Sequence, residues 1–126
     1  MSKTAIVPKN LVPPVGPFSQ GIRINGLLFL SGQVGLDPAT GKLVPGGIRA
    51  ETEQVLRNLA AVLEAAGKTF TDVVRAGVFL TDIGDFSAMN AVYEKQFIQP
   101  YPARTTIAVA ALPLGARVEI DLVAAG

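Results

Sequence analysis

Residues 102–121 read PARTTIAVAALPLGARVEID, and this stretch near the end of the chain decides the fold. No residue between Arg104 and Arg117 is charged, and β-branched residues are frequent before the Leu-Pro-Leu-Gly break at 112–115. Because β-branched side chains favour strands and a Pro/Gly break favours a turn, the stretch predicts two strands joined by a short loop. Its charged residues lie at the edges of an apolar segment.

Arg104 opens the first of these two strands. A guanidinium keeps its charge when it is buried, so it needs a fixed anion nearby. One interpretation is a structural salt bridge with Glu119 or Asp121, which is the commoner arrangement when spacing alone is considered. The other interpretation is that Arg104 binds the carboxylate of a ligand. The residues of this stretch by themselves leave both open.

The composition indicates a single domain spanning residues 1–126 that folds without metals or disulfides, because a chain of this size buries about two thirds of its unfolded surface. Hydrophobic residues make up 49% of the chain and charged residues 17%, and the mean hydropathy is +0.41. That is apolar for a small soluble domain. We therefore expect part of the apolar surface to lie in a subunit interface.

Residue types that are missing exclude several classes of function. The chain has no His and no Cys, which excludes Ser-His-Asp triads, thiolate nucleophiles and ordinary zinc or iron sites. We therefore expect no metal and no cofactor, and proton transfer would fall to a carboxylate, Lys, Tyr or water.

The distribution of charge and hydropathy bears on partners and location. The 11 basic and 10 acidic residues are spread evenly, so no nucleic-acid partner is expected. Neither a membrane-spanning run nor a signal-peptide core is apparent, which predicts a cytoplasmic protein without a membrane partner.

The remaining segments predict an α+β fold, a mixed β-sheet with two helices packed on one face. Another subunit would cover the opposite face, because the chain is so apolar. The predicted elements are a short strand at 4–7, a type I′ hairpin around Asn25-Gly26, a helix from Ile48 that ends at Gly67, a buried strand at 73–80, a helix over 86–97 and the two closing strands.

Different short motifs are distributed along nearly the whole chain. They are GPFSQG at 16–21, SGQ at 31–33, AAG at 65–67, VFL at 78–80 with DF at 85–86, NAVY at 90–93, PAR at 102–104 and VEI at 118–120. In order and spacing they resemble the signatures of the reactive-intermediate deaminase family, which is also called RidA or YjgF-like. The resemblance implies a chorismate-mutase-like α+β subunit, assembled as a homotrimer with small clefts between neighbouring subunits.

The resemblance also implies an activity. The family hydrolyses short 2-imino acids, such as 2-iminopropanoate and 2-iminobutanoate, to 2-oxo acids and ammonia without metal or cofactor. Arg104 matches the arginine that grips the substrate carboxylate, and Glu119 matches the acid that orients or activates the attacking water. The matching substrate-binding positions are Phe18, Ser31, Gly32, Asn90 and Thr106.

Two positions depart from the commoner family pattern. Phe18 stands where most members have tyrosine, and Thr105-Thr106 follow Arg104 where many have Ser-Cys. Loss of a phenolic hydroxyl removes a hydrogen bond worth about 0.5 to 1.5 kcal/mol, so lower activity or a different preferred imine is expected. Thr106 still offers a hydroxyl and a backbone N–H.

Other functions stay open alongside the enzyme hypothesis. A trimer of this kind could bind small carboxylates through Arg104 without catalysis, or could act as a holdase-like chaperone through its apolar surface. Ribonuclease activity, also ascribed to family members, has little electrostatic support in an evenly charged chain.

Overall fold

A computed structural model describes residues 2–126 and contains one six-stranded sheet, a two-stranded ribbon and two α-helices. The elements in chain order are β1 Thr4–Ile6, β2 Gly21–Ile24, β3 Leu27–Gln33, β4 Leu36–Asp37, β5 Lys42–Leu43, α1 Gly47–Ala65, β6 Val73–Leu80, α2 Phe86–Tyr93, β7 Ala103–Ala108 and β8 Val118–Ala125. Short 3-10 turns occupy Phe70–Asp72, Ile83–Asp85 and Pro113–Gly115.

The large sheet has the strand order β1-β2-β3-β8-β6-β7. All neighbouring pairs are antiparallel except β6 and β7, which are parallel. The predicted mixed sheet with two helices is therefore confirmed. The closing strands β7 and β8 form where the sequence placed them, but β6 lies between them. The chain crosses over through α2 between β6 and β7, because parallel neighbouring strands need such a connection. Strand β7 therefore runs parallel to β6 and lies at the edge of the sheet.

Two predicted chain reversals are confirmed by their backbone angles. Asn25 and Gly26 have φ values of 54° and 71°, as a type I′ turn between β2 and β3 requires. Gly67 follows α1 with φ of 74°. Its N–H donates to Glu64 O at 2.9 Å, and Lys68 N–H donates to Leu63 O at 2.8 Å. These two bonds form a Schellman motif that satisfies the last carbonyls of the helix.

Helix α2 is shorter than predicted, ending at Tyr93 instead of Phe97. The N–H groups of Lys95 and Gln96 bond to carbonyls three residues back, at Val92 and Tyr93, with distances of 3.2 and 3.0 Å. Such bonds tighten the chain and end a helix. The shortening lets residues 94–102 loop back to the start of β7.

One face of the sheet packs on the helices and forms the core. Alternate residues of β3, β6 and β8 point to this face and are at most 4% exposed: Leu28, Leu30, Ala76, Val78, Leu80, Val118, Ile120, Leu122 and Ala124. They pack against buried residues of both helices, among them Val55, Leu59, Val62, Leu63 and Met89. Within residues 2–126, neither helix is both long and apolar enough to cross a membrane.

The opposite face of the sheet has no helix over it. Its apolar side chains are only partly covered, with Phe29 43% and Ile107 44% exposed. Arg75 and Asp121 lie on the same face among these apolar groups, around a cavity of about 330 Å³. We call this surface the uncovered face.

Buried polar side chains join α1 to the segment after β3. Asn58 is 3% exposed. Its Nδ2 donates to the carbonyls of Val34 at 3.2 Å and Leu36 at 2.9 Å, and its Oδ1 accepts from Gln54 at 2.9 Å. These bonds hold the end of β3 and the start of β4 against the helix.

We expect Asn58→Leu to lower the free energy of unfolding by about 2 kcal/mol or more, because it leaves buried carbonyls without donors. Urea unfolding at fixed protein concentration measures the change. Glu53→Ala is the control, since its ion pair with Arg57 (3.5 Å) lies on exposed side chains and should contribute no more than about 0.5 kcal/mol. An Asn58→Leu midpoint as high as that of the control would contradict the prediction.

Candidate active site

Arg104 lies on the edge strand β7, on the side of the sheet that carries the helices. In the strand register it pairs with Ala76, which in turn pairs with Leu122, and both of these are buried in the core. Its guanidinium carbon lies 4.6 Å from the centroid of the Tyr93 ring and 5.5 Å from that of Phe86. Arg104 is thus held against α2.

A cavity of about 280 Å³ opens beside this guanidinium. Its walls are Asn90, Tyr93, Glu94, Tyr101, Pro102 and Arg104. Asn90 comes from the middle of α2 and Tyr101 from the loop before β7. The structure therefore brings two of the residues singled out from the sequence, Arg104 and Asn90, to one cavity.

The salt bridge that was one interpretation of Arg104 is absent, and that interpretation is wrong for the chain as described. Glu119 pairs with Phe79, and Asp121 pairs with Gly77. Both positions are out of phase with Ala76, so their side chains point to the uncovered face. Over residues 2–126, ion pairs form at Arg57 and Arg117 and not at Arg104.

Thr106 shares the face of Arg104, two residues further along β7, and pairs with the buried Val78. Its Oγ1 is buried and has no hydrogen-bond partner among residues 2–126. Buried hydroxyls normally have a partner, so the Thr106 hydroxyl is an unsatisfied polar group on the side of the strand that carries Arg104.

Glu119 belongs to a second cluster, on the uncovered face. The pairing of β3 with β8 is irregular between Leu30 and Gln33, and this places Gly32 directly over the Glu119 carboxylate. A Cβ at position 32 would overlap Glu119 Oε2. Only glycine therefore fits while the carboxylate keeps this position.

Ser31 precedes Gly32 in β3, and hydrogen bonds connect it to the loop that carries Phe18. The Ser31 hydroxyl donates to Ser19 O at 2.6 Å, and the Ser31 N–H donates to Gln20 O at 3.0 Å. These bonds fasten the loop before β2 to β3, so the Ser31 hydroxyl is already used within the chain. Phe18, adjacent to Ser19, is 51% exposed, and an exposed phenyl ring is available for contact with another molecule.

The environment of Glu119 raises its pKa. Burial of the carboxyl group is the larger cause, and the charge of Asp121 is the second. Asp121 itself accepts a hydrogen bond from Gly77 N–H at 3.1 Å. A carboxyl group with a raised pKa exchanges protons more readily near neutral pH, as a general base or acid must.

Comparison with known proteins identifies the family of this chain. The profile of the family described as Endoribonuclease L-PSP matches residues 9–126. The chain belongs to this family. The goat (Capra hircus) protein named 2-iminobutanoate/2-iminopropanoate deaminase is 51% identical over 110 residues, which cover 87% of this chain and 80% of the goat protein.

Two solved structures of relatives confirm the fold and the resemblance to RidA-like proteins. YyfA of Yersinia pestis, described as a protein of unknown function of the conserved Rid family, has a TM-score of 0.96 at 43% identity, covering 99% of this chain and 100% of its own. TdcF of E. coli, solved with bound serine, has a TM-score of 0.90 at 31% identity, covering 98% of both chains.

In this L-PSP family member the candidate residues form two groups on opposite faces of one sheet. The first group comprises Arg104, Asn90 and Thr106, and the second comprises Glu119, Gly32 and Ser31. The sequence does not show that Phe86 and Tyr93 contact Arg104, because apolar residues at helical spacing within 86–97 are also typical of a helix face that packs on the core. The spacing of seven residues between Phe86 and Tyr93, two helical turns, was the available signal.

We expect Asp121→Asn to lower the pKa of Glu119, because it removes the nearby negative charge while burial of Glu119 persists. The asparagine Oδ1 can keep the bond from Gly77 N–H. A ¹³C NMR titration of the Glu119 carboxyl group measures the change. Glu53→Gln, on the exposed face of α1, should leave that titration unchanged, and an unaltered Glu119 pKa in Asp121→Asn would contradict the prediction.

Proposed function

We propose that this protein hydrolyses short 2-imino acids to 2-oxo acids and ammonia, as a 2-iminobutanoate/2-iminopropanoate deaminase. The observation that carries the proposal is a guanidinium that forms no ion pair within residues 2–126 and lies at the wall of a cavity. The name of the goat relative, 51% identical, supports the same activity.

Arg104 is proposed to bind the substrate carboxylate. A guanidinium can pair with a carboxylate through two parallel N–H···O bonds, which fixes the orientation of the ligand as well as its position. Orientation matters for a short 2-imino acid, because the imine carbon is bonded directly to the carboxylate carbon. When Arg104 holds the carboxylate, the position of the imine carbon is therefore fixed as well. Asn90, on the same cavity wall, can form a hydrogen bond to the substrate.

Glu119 is proposed to activate water. It removes a proton as the water oxygen bonds to the imine carbon, and it returns that proton to the nitrogen. The carbinolamine formed carries a hydroxyl and an amino group on the same carbon. Glu119 next takes the hydroxyl proton and passes it to the nitrogen, the carbon–oxygen double bond forms as the carbon–nitrogen bond breaks, and ammonia leaves the 2-oxo acid. The raised pKa of Glu119, caused first by burial, suits a group that must both take and return a proton.

Because Arg104 and Glu119 point to opposite faces of the sheet, one subunit cannot present both to one small substrate. We propose that the protein is a homotrimer in which Arg104, Asn90 and Thr106 of one subunit meet Glu119, Gly32 and Phe18 of its neighbour. The partly exposed apolar side chains of the uncovered face, such as Phe29 and Ile107, support such an interface. A monomer mass by light scattering would contradict it.

Non-catalytic binding of small carboxylates is the second candidate. It would use the same Arg104 cavity, and the solved complex of TdcF with serine, itself a carboxylate, favours it. Phe18 also favours it, because a phenyl ring cannot hydrogen-bond to water or substrate. The two candidates differ in whether ammonia is released from the imine.

We expect Arg104→Lys and Arg104→Ala to reduce the rate of imine hydrolysis by about 100-fold or more. A lysine ammonium cannot orient the carboxylate through two parallel hydrogen bonds as a planar guanidinium does, and alanine has no donor at all. Release of 2-oxo acid from 2-iminopropanoate generated in situ measures the rate. The free energy of unfolding should fall by no more than about 2 kcal/mol, because the substitutions remove contacts with aromatic rings and break no ion pair found among residues 2–126. Retained activity with a large loss of stability would show that Arg104 is structural.

We expect mixed trimers of Arg104→Ala and Glu119→Gln subunits to regain activity that neither variant has alone. In a cleft shared between subunits, an intact pair can form from Arg104 of one subunit and Glu119 of the other. Each mixed trimer has one intact cleft of three, so the isolated mixed species should show about one third of the wild-type activity. Co-expression with two affinity tags isolates the mixed species. No recovery would show that both residues act within one subunit.

A further inference from the structure

Two aromatic rings of α2 hold the Arg104 guanidinium. Phe86 and Tyr93 are seven residues apart and so lie on the same side of the helix. The guanidinium carbon is 5.5 Å from the first ring centroid and 4.6 Å from the second. Both distances are within the range of an attractive cation–π contact. An arginine at the edge of the sheet is thereby held without a carboxylate from its own chain.

This manner of holding an arginine differs from a salt bridge in its effect on hydrogen bonding. A carboxylate partner would occupy N–H donors of the guanidinium. A ring face attracts the positive charge through its quadrupole and requires none of those donors. Most of the five N–H donors of Arg104 therefore stay available to an incoming carboxylate, while the group as a whole is restrained.

The Tyr93 ring is itself fixed by its neighbours. Tyr93 is 5% exposed and stacks on Phe97 with ring centroids 4.3 Å apart and an interplanar angle of 25°. Phe97 in turn contacts Phe70 edge-on at 5.2 Å and 78°. Burial raises the pKa of Tyr93, although the Arg104 charge opposes this, so the ring stays a neutral phenol near pH 7.

We propose that Phe86 and Tyr93 are positioning residues that orient Arg104 for binding the substrate carboxylate. The proposal rests on the proposed role of Arg104 in carboxylate binding. Phe86 restrains the guanidinium from a partly exposed position, 37% accessible, and Tyr93 from a buried and stacked one. Without the rings, the long side chain adopts more rotamers and must be ordered by the substrate, which weakens binding.

The experiment compares leucine substitutions, which keep an apolar side chain and remove the ring. We expect Phe86→Leu and Tyr93→Leu to raise KM for 2-iminobutanoate by about 2- to 30-fold, the range of a cation–π contact, with a much smaller change in kcat. Tyr93→Phe restores the ring and should rescue KM relative to Tyr93→Leu. Phe70→Leu is the matched control, because Phe70 contacts Phe97 and not Arg104.

Titration calorimetry with 2-oxobutanoate measures carboxylate binding without turnover. A weaker affinity in Phe86→Leu than in Phe70→Leu supports the inference even if the wild type does not hydrolyse imines, in which case only the proposed catalysis fails. A KM and an affinity in Phe86→Leu equal to those of the wild type overturn the inference, as does a wild type that does not bind 2-oxobutanoate. If Tyr93→Leu does not fold, Phe86→Leu by itself still tests the inference. Phe86 is partly exposed, so its substitution should be tolerated.

Discussion

Successive side chains of a β-strand point to opposite faces of the sheet, and the arrangement of this protein depends on that alternation. Strands β3, β6 and β8 place one set of residues under the helices and the other on the uncovered face. Arg104, on the neighbouring strand β7, lies on the helix side of the sheet, and Glu119 on β8 lies on the uncovered face. The same alternation that builds the core therefore separates the two principal candidate catalytic groups.

Each of these two groups depends on a different kind of close contact. Glu119 lies against the backbone of Gly32, where any side chain would overlap its carboxylate. Arg104 lies against aromatic ring faces, which restrain it without using its hydrogen-bond donors. One contact depends on the absence of a side chain and the other on the presence of large ones. Both leave the charged atoms free to meet a ligand.

Oligomerisation would have two effects on this fold: it would bury exposed apolar surface, and it would bring the two groups of candidate residues together. The uncovered face carries phenylalanine, isoleucine and valine side chains that remain partly exposed in one chain. The Arg104 group and the Glu119 group each supply one of the two proposed catalytic residues. Packing one subunit against another would bury the apolar surface and bring the two groups together, so stability and activity would have a common origin.

The sequence by itself determined the local structure and the family. The Asn25-Gly26 turn, the Gly67 helix end, the strand at 73–80 and the spaced motifs all depend on residues close together in the chain, where backbone preferences and apolar periodicity act. Only the tertiary structure decided that β6 separates β7 from β8 and that Arg104 has aromatic neighbours instead of a carboxylate. Strand order and register arise from contacts between distant residues, and a shift of one residue moves a side chain to the other face.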